Sequence, residues 1–276
     1  MTASPVVVHR ADIRRRGDIA RALDASMPDA IFHLAGISHG GDAAADPVAA
    51  IETNVGGTTA LMAEIIERTR AGAIDPTILV TGSALQYGIH AQSEIPLDET
   101  TEQQPRGIYA GSKLAQEAIA LGVHRSDGLR VIVTRSFNHS GAGQEPKFQL
   151  PRLVERARRL AAGNAKEMPV EKWPQVKDWL HVDDVVDAYI ALVDRGVPGE
   201  AYNVSRGEGV ENGRLAERLL QRMGSSLRAE ADPAPFQPVD VPVLVGDSSK
   251  LRTATGWAPR YSLDDLLDDL LRAEAH

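Results

Sequence analysis

The sequence predicts an α/β fold: a doubly wound parallel sheet, N-terminally incomplete, followed by a smaller C-terminal mixed α/β part. Three observations predict it. Short apolar runs occur without polar alternation, the pattern of parallel strands covered on both faces. Helix-length segments separate these runs, which implies right-handed strand–helix–strand crossovers. After about Gln144 the texture changes to helix-like pieces set between proline-containing loops.

Taken in order, Val6-Val7-Val8 reads as a strand and Asp18 to Ser26 as a short helix. Ala30-Ile31-Phe32-His33-Leu34 is the next strand, ending in Ala35-Gly36. Pro47 suits a first helical turn and opens a helix running to about Arg70, which Gly72 stops. Thr77-Ile78-Leu79-Val80-Thr81 is a buried-strand pattern closed by Gly82. Tyr109 to about His124 reads as helix and Leu129 to Thr134 as another apolar strand. Beyond these, helices are expected at Leu150–Ala162, Val182–Arg195, Asn212–Met223 and Leu263–Ala273. Pro233, Pro235, Pro238 and Pro242 make the stretch from Asp232 a loop or edge segment.

Composition narrows the partners. At 276 residues, 43% hydrophobic and 25% charged, the chain sits near the globular average, which excludes wholesale disorder. Thirty Lys and Arg against 38 Asp and Glu leave a net charge of -8, unsuited to nucleic acid or an anionic membrane. A small phosphorylated ligand needs only a few placed cations. The absence of Cys excludes disulfides and thiolate metal sites, and the eight His show no metal-ligand spacing, so no metal is expected. No apolar run approaches the about 20 residues of a membrane span, and Met1 to Arg16 lacks a signal-peptide pattern. A cytoplasmic protein is expected.

Two features carry chemistry. Tyr109 and Lys113 form Y-x-x-x-K at a helix start, and the i, i+4 spacing puts both on one face, about 5–6 Å apart at Cβ. A neighbouring ammonium favours the phenolate and brings a tyrosine toward acid–base work near neutrality. Ser83 follows Thr81-Gly82 at the C-terminal end of a predicted parallel strand, where open α/β sheets bind ligands. It precedes Tyr109 by 26 residues, so adjacent strand ends bring the pair together. Taken singly, each has a bland alternative: a helix-surface pair and a turn serine.

One feature is missing. A nucleotide-binding doubly wound sheet opens with a strand, a Gly-rich turn and a helix whose N-terminus holds the pyrophosphate. No G-x-G-x-x-G or G-x-x-G-x-x-G occurs, and Gly36 with Gly40-Gly41 has the wrong spacing. The first β-α-β unit is therefore expected to be absent, with an exposed strand edge and weak dinucleotide binding.

The remaining motifs, in order, are Asp12-Ile13, His33-Leu34-Ala35-Gly36, Thr53-Asn54-Val55-x-Gly57-Thr58, Thr81-Gly82-Ser83-Ala84-x-x-Tyr87-Gly88, Tyr109-Ala110-x-Ser112-Lys113, Arg135-Ser136-Phe137-Asn138-His139 and Asp178-Trp179-x-x-Val182-x-Asp184. From Val6 onward the chain thus resembles the extended short-chain dehydrogenase/reductases of the NAD-dependent epimerase/dehydratase family, with a Rossmann-like sheet. Arg135 to Gln144 and Val243 to Leu251, before Thr255-Gly256-Trp257, resemble the GDP-mannose dehydratase and GDP-4-keto-6-deoxy-mannose reductase branch.

The resemblance implies a dinucleotide-binding domain over 1–145, incomplete, and a mainly substrate-binding domain over 146–276, with about 181–196 packing back on the first. It implies that Tyr109 is the acid/base, that Lys113 lowers its pKa and holds the nicotinamide ribose, and that Ser83 binds the C4 oxygen. NAD(H) or NADP(H) would lie along Asp12, Ile13, Ala35, Gly36, Asn54, Thr81, Ser136 and Phe137, together with Tyr109 and Lys113. A nucleotide sugar, by preference a GDP-sugar, would meet Ser83, Asn138 and Lys177. Lys177 stands where the family has Arg, and a point charge there lacks the bidentate fork. Gln237 replaces an Arg of that clamp, and Lys147, Arg152 and Arg252 either compensate or are solvated surface charges. Trp173 and Trp179 read as packing residues, one of them a candidate for stacking on a guanine. Asp264-Asp265 and Asp268-Asp269 read as a solvated helix face. Homodimerisation is implied through the helices beginning near Pro47 and Tyr109.

One position bears on the reaction. The dehydratases of this branch carry a Glu two residues after the active-site hydroxyl, and that position is Leu85, which accepts no proton. Carbonyl reduction at C4 is favoured, with C4 epimerisation as the alternative. A truncated, catalytically impaired chain acting as a binding scaffold is the alternative of another class.

Overall fold

Four parallel strands form the central sheet of the computed structural model, which describes residues 6–163 and 165–273. In chain order the elements are α1 (Arg16–Ser26), β1 (Ala30–His33), α2 (Gly40–Ala45), α3 (Pro47–Ile51), α4 (Gly57–Arg70), β2 (Thr77–Thr81), α5 (Gly107–Asp127), β3 (Arg130–Ser136) and β4 (Asn138–Ser140). They continue as α6 (Gln149–Ala162), β5 (Glu167–Glu171), β6 (Val176–His181), α7 (Val182–Arg195), β7 (Ala201–Val204), β8 (Gly209–Glu211), α8 (Asn212–Arg222), β9 (Arg228–Asp232), β10 (Val243–Leu244), α9 (Ser249–Thr255) and α10 (Leu263–Arg272).

The central sheet runs β1-β2-β3-β7, all parallel. Its strands bury both faces with period two. Ile78, Val80, Val131 and Val133 meet Ile19, Leu61, Met62 and Ile65 of α1 and α4. Leu79 and Ile132 meet Val185, Ala188 and Leu192 of α7 and Leu251 of α9. A second sheet sets β6 between β4 and β10, with β8 antiparallel to β6, and β5 pairs with β9. A separate core packs α6, α8 and α10 around Leu150, Met168, Leu219 and Leu267.

Several expectations need correction. Val6-Val7-Val8 forms no strand: the three side chains are exposed and, among the described residues, pair with no neighbour. A β-prone triplet without a ladder partner leaves its backbone groups to water. The helix from Pro47 is interrupted by one turn of π-helix over Glu52–Gly56. Asp264 and Asp268 are not merely solvated, because Arg218 and Arg222 of α8 pair with them and tie α8 to α10. Strand β7 was not singled out from the sequence, where Asn203 interrupts its short apolar run.

Beneath the sheet's C-terminal end lies a buried polar network. Arg135 of β3 and Glu117 of α5 pair at 2.6 Å, with side chains 7% and 5% exposed. Burial pushes the Glu117 carboxyl up, but the Arg135 bond and charge outweigh it and hold the group low. Removing one member of such a pair strands the other in a dry interior. Arg135→Met is expected to cost about 3–5 kcal/mol in urea unfolding. The double change Arg135→Met with Glu117→Leu should recover much of that loss, and equal losses in both variants would contradict the assignment.

Candidate active site

The C-terminal ends of β2 and β3 and the first turn of α5 meet at one place. Gly107 enters α5 at φ +85°, a left-handed conformation that favours glycine. Two residues on, Tyr109 points from the first turn, and Lys113 follows one turn later. Beyond β2, Gly82 donates to the Thr134 carbonyl at 2.7 Å, and a Cβ there would stand 2.5 Å from that oxygen. Only glycine permits this approach. It turns the chain so that Ser83 caps the short helical turn Ala84–Gln86, its hydroxyl accepting from the Leu85 amide.

The turn is held from below. Gln86 accepts from the Ser83 amide at 2.7 Å and donates to Glu117 at 2.7 Å. Ser83 is thereby fixed to the helix that carries Tyr109 and Lys113. Burial pushes the Tyr109 phenol up, the nearby Tyr189 phenol adds to this, and a bond from Ser83 opposes it. In the free chain Lys113 is not among the groups that shift this phenol. The Lys113 ammonium instead donates to the Thr81 carbonyl at 2.8 Å and to Gln116 at 2.9 Å. Burial brings it down to about 8.

Two clefts open on either side of Tyr109. One, of about 420 Å³, is lined by Gly36, Thr81, Ser83, Lys113, Ser136, Phe137 and Tyr189, with Val182, Val185 and Val186 as its apolar wall. The other, of about 320 Å³, carries Lys147, Arg152, Arg156, Lys172 and Lys177 with Trp179 at its floor. Tyr109, Leu85, Asn138 and His139 border both. In the second cleft burial, with Lys172 and Arg152 adding repulsion, brings Lys177 down to about 8. Lys177 donates to Gln149, and Lys147 is tied to Asp42 and Glu145.

Other residues singled out from the sequence lie outside both clefts. Asn54 is buried in the π turn, where it holds the Ile37 amide at 2.7 Å and the Ser112 hydroxyl at 2.9 Å. Ala35 is exposed beside Gly36. Asp12 pairs with Arg14 on a separate face and its carboxyl is held well below the usual range by that bond. Ile13 packs over Gly57. Arg252 spends its guanidinium on the Arg206 carbonyl and Ser248, away from the site.

The structure also adds residues. Tyr189 shares a 2.7 Å bond with Ser136. His139 bonds through Nδ1 to the Phe137 carbonyl at 2.9 Å, and burial pushes its pKa down despite that bond. Arg156, one turn beyond Arg152 on α6, was legible from the i, i+4 spacing. Lys172, at φ +50°, pairs with Asp240 of the proline-rich loop, a contact no sequence spacing announces. Among the described residues no group of three His, Asp or Glu could hold a metal, and no helix is long and apolar enough to cross a membrane.

A parallel sheet whose strand ends bring Ser, Tyr and Lys together between two clefts defines the epimerase/dehydratase class of the short-chain dehydrogenase/reductases. The family model described as GDP-mannose 4,6 dehydratase matches residues 2–270, and the chain belongs to that family. The GDP-6-deoxy-D-mannose reductase of Pseudomonas aeruginosa is 32% identical over 96% of this chain and 86% of its own length. The structure of RMD from Pseudomonas aeruginosa complexed with NADPH superposes with a TM-score of 0.88 at 31% identity, over 98% of this chain and 88% of the other. DesIV, a dTDP-glucose 4,6-dehydratase from Streptomyces venezuelae solved with NAD, gives 0.81 at 28% identity, over 95% and 77%.

The buried lysine makes a stability prediction whose sign is fixed. Native Lys113 releases its proton near pH 8, whereas the unfolded residue keeps it to about 10.5. Between those values the unfolded chain binds more protons, so stability rises with pH. The wild type should gain stability relative to Lys113→Met across that window in thermal unfolding. A difference independent of pH would contradict the buried, depressed ammonium.

Proposed function

We propose that the chain is a nicotinamide-dependent reductase of 4-keto nucleotide sugars, with a GDP-4-keto-6-deoxy sugar as its preferred substrate class. The observation that carries this is the position of Tyr109. Its phenol borders both clefts beside Ser83, while Leu85 stands where proton abstraction next to a carbonyl would need a base. Acid–base work at a carbonyl oxygen remains, without dehydration.

The residues of the larger cleft fit the nicotinamide–ribose end of a dinucleotide. Gly36 borders this cleft, and a Cβ on it would stand 2.8 Å from the Asn54 Oδ1, so a side chain there would displace that amide. Gly36, Thr81, Lys113, Ser136 and Phe137 would hold NAD(H) or NADP(H), with the Lys113 ammonium suited to ribose hydroxyls. When bound, that group supplies the hydride. Tyr109 donates its phenolic proton to the C4 oxygen, and its raised pKa keeps the proton available at neutral pH. The Ser83 hydroxyl donates a hydrogen bond to the same oxygen as charge develops there. Lys113, one helical turn away, supplies the positive charge that favours the phenolate left behind.

In the smaller cleft Lys177, Lys172, Arg152 and Arg156 form a basic wall suited to a diphosphate. Asn138, bordering both clefts, faces the sugar between diphosphate and phenol. Reduction predicts consumption of one reduced cofactor per product, whereas epimerisation recycles it. The purified chain should oxidise NADPH or NADH stoichiometrically with a GDP-4-keto-6-deoxy sugar. Tyr109→Phe should lower kcat about 10²–10⁴-fold. Turnover without net cofactor oxidation would contradict the reductase and favour the epimerase.

The chain also pairs, on this reading, with a second copy through α3, α4 and α5. Exposed Val48 and Ile51 lie on α3 and exposed Ile108 on α5. Sedimentation should give a dimer, and Ile51→Lys with Ile108→Lys should shift it toward monomer; a wild-type monomer would contradict the pairing.

A further inference from the structure

We propose that the indole N–H of Trp179 is a ligand-binding donor in the smaller cleft, taking an acceptor oxygen of the bound nucleotide sugar. The inference rests on the nucleotide-sugar reading of that cleft and adds a residue to it.

Three observations carry it. Trp179 is 4% exposed, and its Nε1 has no hydrogen-bond partner. A buried donor without a partner costs free energy, and natural interiors rarely tolerate one. The contrast is Trp257, equally enclosed, whose Nε1 donates to the Asp184 carbonyl at 3.0 Å. Second, the period of two along the strand turns Gln175, Lys177 and Trp179 toward the same cleft, and all three line it. Gln175 donates to the Val241 carbonyl and Lys177 to Gln149, whereas the indole of Trp179, with its single N–H, donates to nothing. Third, the residue opposite Trp179 across the β4–β6 ladder is Asn138, whose Oδ1 is also buried and unpartnered. A donor and an acceptor thus stand side by side at the boundary of the two clefts.

That chemistry matches an oxygen at the joint between sugar and diphosphate. A phosphate oxygen or a ring or hydroxyl oxygen would each accept from the indole, and a hydroxyl would also donate to Asn138. The rival is purely internal: the two unspent groups pair with each other and the indole only packs.

The test uses the full chain with GDP and GDP-mannose as calorimetric probes, comparing wild type with Trp179→Phe, which keeps the ring and removes the donor. Loss of one such bond corresponds to about three- to tenfold weaker binding, with the melting temperature unchanged. Equal weakening for both probes places the oxygen on the diphosphate; weakening for GDP-mannose alone places it on the sugar. Unchanged affinity for both overturns the inference, as does a fall in melting temperature with affinity intact. A second readout is independent of that variant's folding. Of the chain's three indole N–H resonances, assigned through Trp173→Phe and Trp257→Phe, the one from Trp179 should shift most on titration with GDP-mannose. A resonance that stays still at saturation overturns it. Failure of the wild type to bind either probe would sink the nucleotide-sugar reading itself, and this inference with it.

Discussion

The site depends on one buried contact: the Gln86 side chain, which accepts from the Ser83 amide and donates to Glu117. Through it, the turn after β2 is tied to the same helix that presents Tyr109 and Lys113. Arg135 neutralises Glu117 from β3 and reaches the Tyr87 hydroxyl and the Glu99 carbonyl. Three elements distant in sequence are thereby locked by charge-assisted bonds in a region closed to water. Such bonds are strong when complete and costly when broken. A one-ångström drift between the Ser83 turn and α5 would separate the two hydroxyls that, in the proposed mechanism, address a single oxygen.

The electrostatics follow from burial. Burial keeps the phenol protonated, and it brings the ammonium down to about 8, where it still carries its charge at pH 7. The phenol is therefore an acid before it is a base, which suits protonation of a developing alkoxide. The opposite side of the phenol is cationic, and Lys177 there is brought down chiefly by burial, with Lys172 and Arg152 adding repulsion. On the proposed reading, that wall attracts the diphosphate of the substrate. A net charge of -8 over the whole molecule is compatible with this, because five of the 30 Lys and Arg line one cleft.

Much of this was legible in the sequence where local rules decide. The apolar runs at Thr77–Thr81 and Leu129–Thr134 became the buried strands β2 and β3, and Y-x-x-x-K fell at the head of α5. Val6–Val8 failed because a strand's existence depends on a partner, which a local run does not encode. Asn54 and Arg252 carried polar groups that the fold spends on backbone, and no spacing distinguishes a spent group from a free one. Tyr189 and Lys172 reach the clefts through tertiary packing of α7 and of the proline-rich loop. Trp179 was read as packing, which its burial supports, while the unpaired nitrogen is visible only once every neighbour is placed. Leu85 was the reverse case: a missing carboxylate, legible at once.

Direct evidence for the central claim, hydride delivery to the sugar carbonyl carbon with Tyr109 protonating its oxygen, would come from isotopic labelling. Incubating the chain with a nicotinamide cofactor deuterated at its transferable position and a GDP-4-keto-6-deoxy sugar should place one deuterium on C4 of the product, read by NMR. A product without deuterium at C4, or labelled at another carbon, would contradict the account.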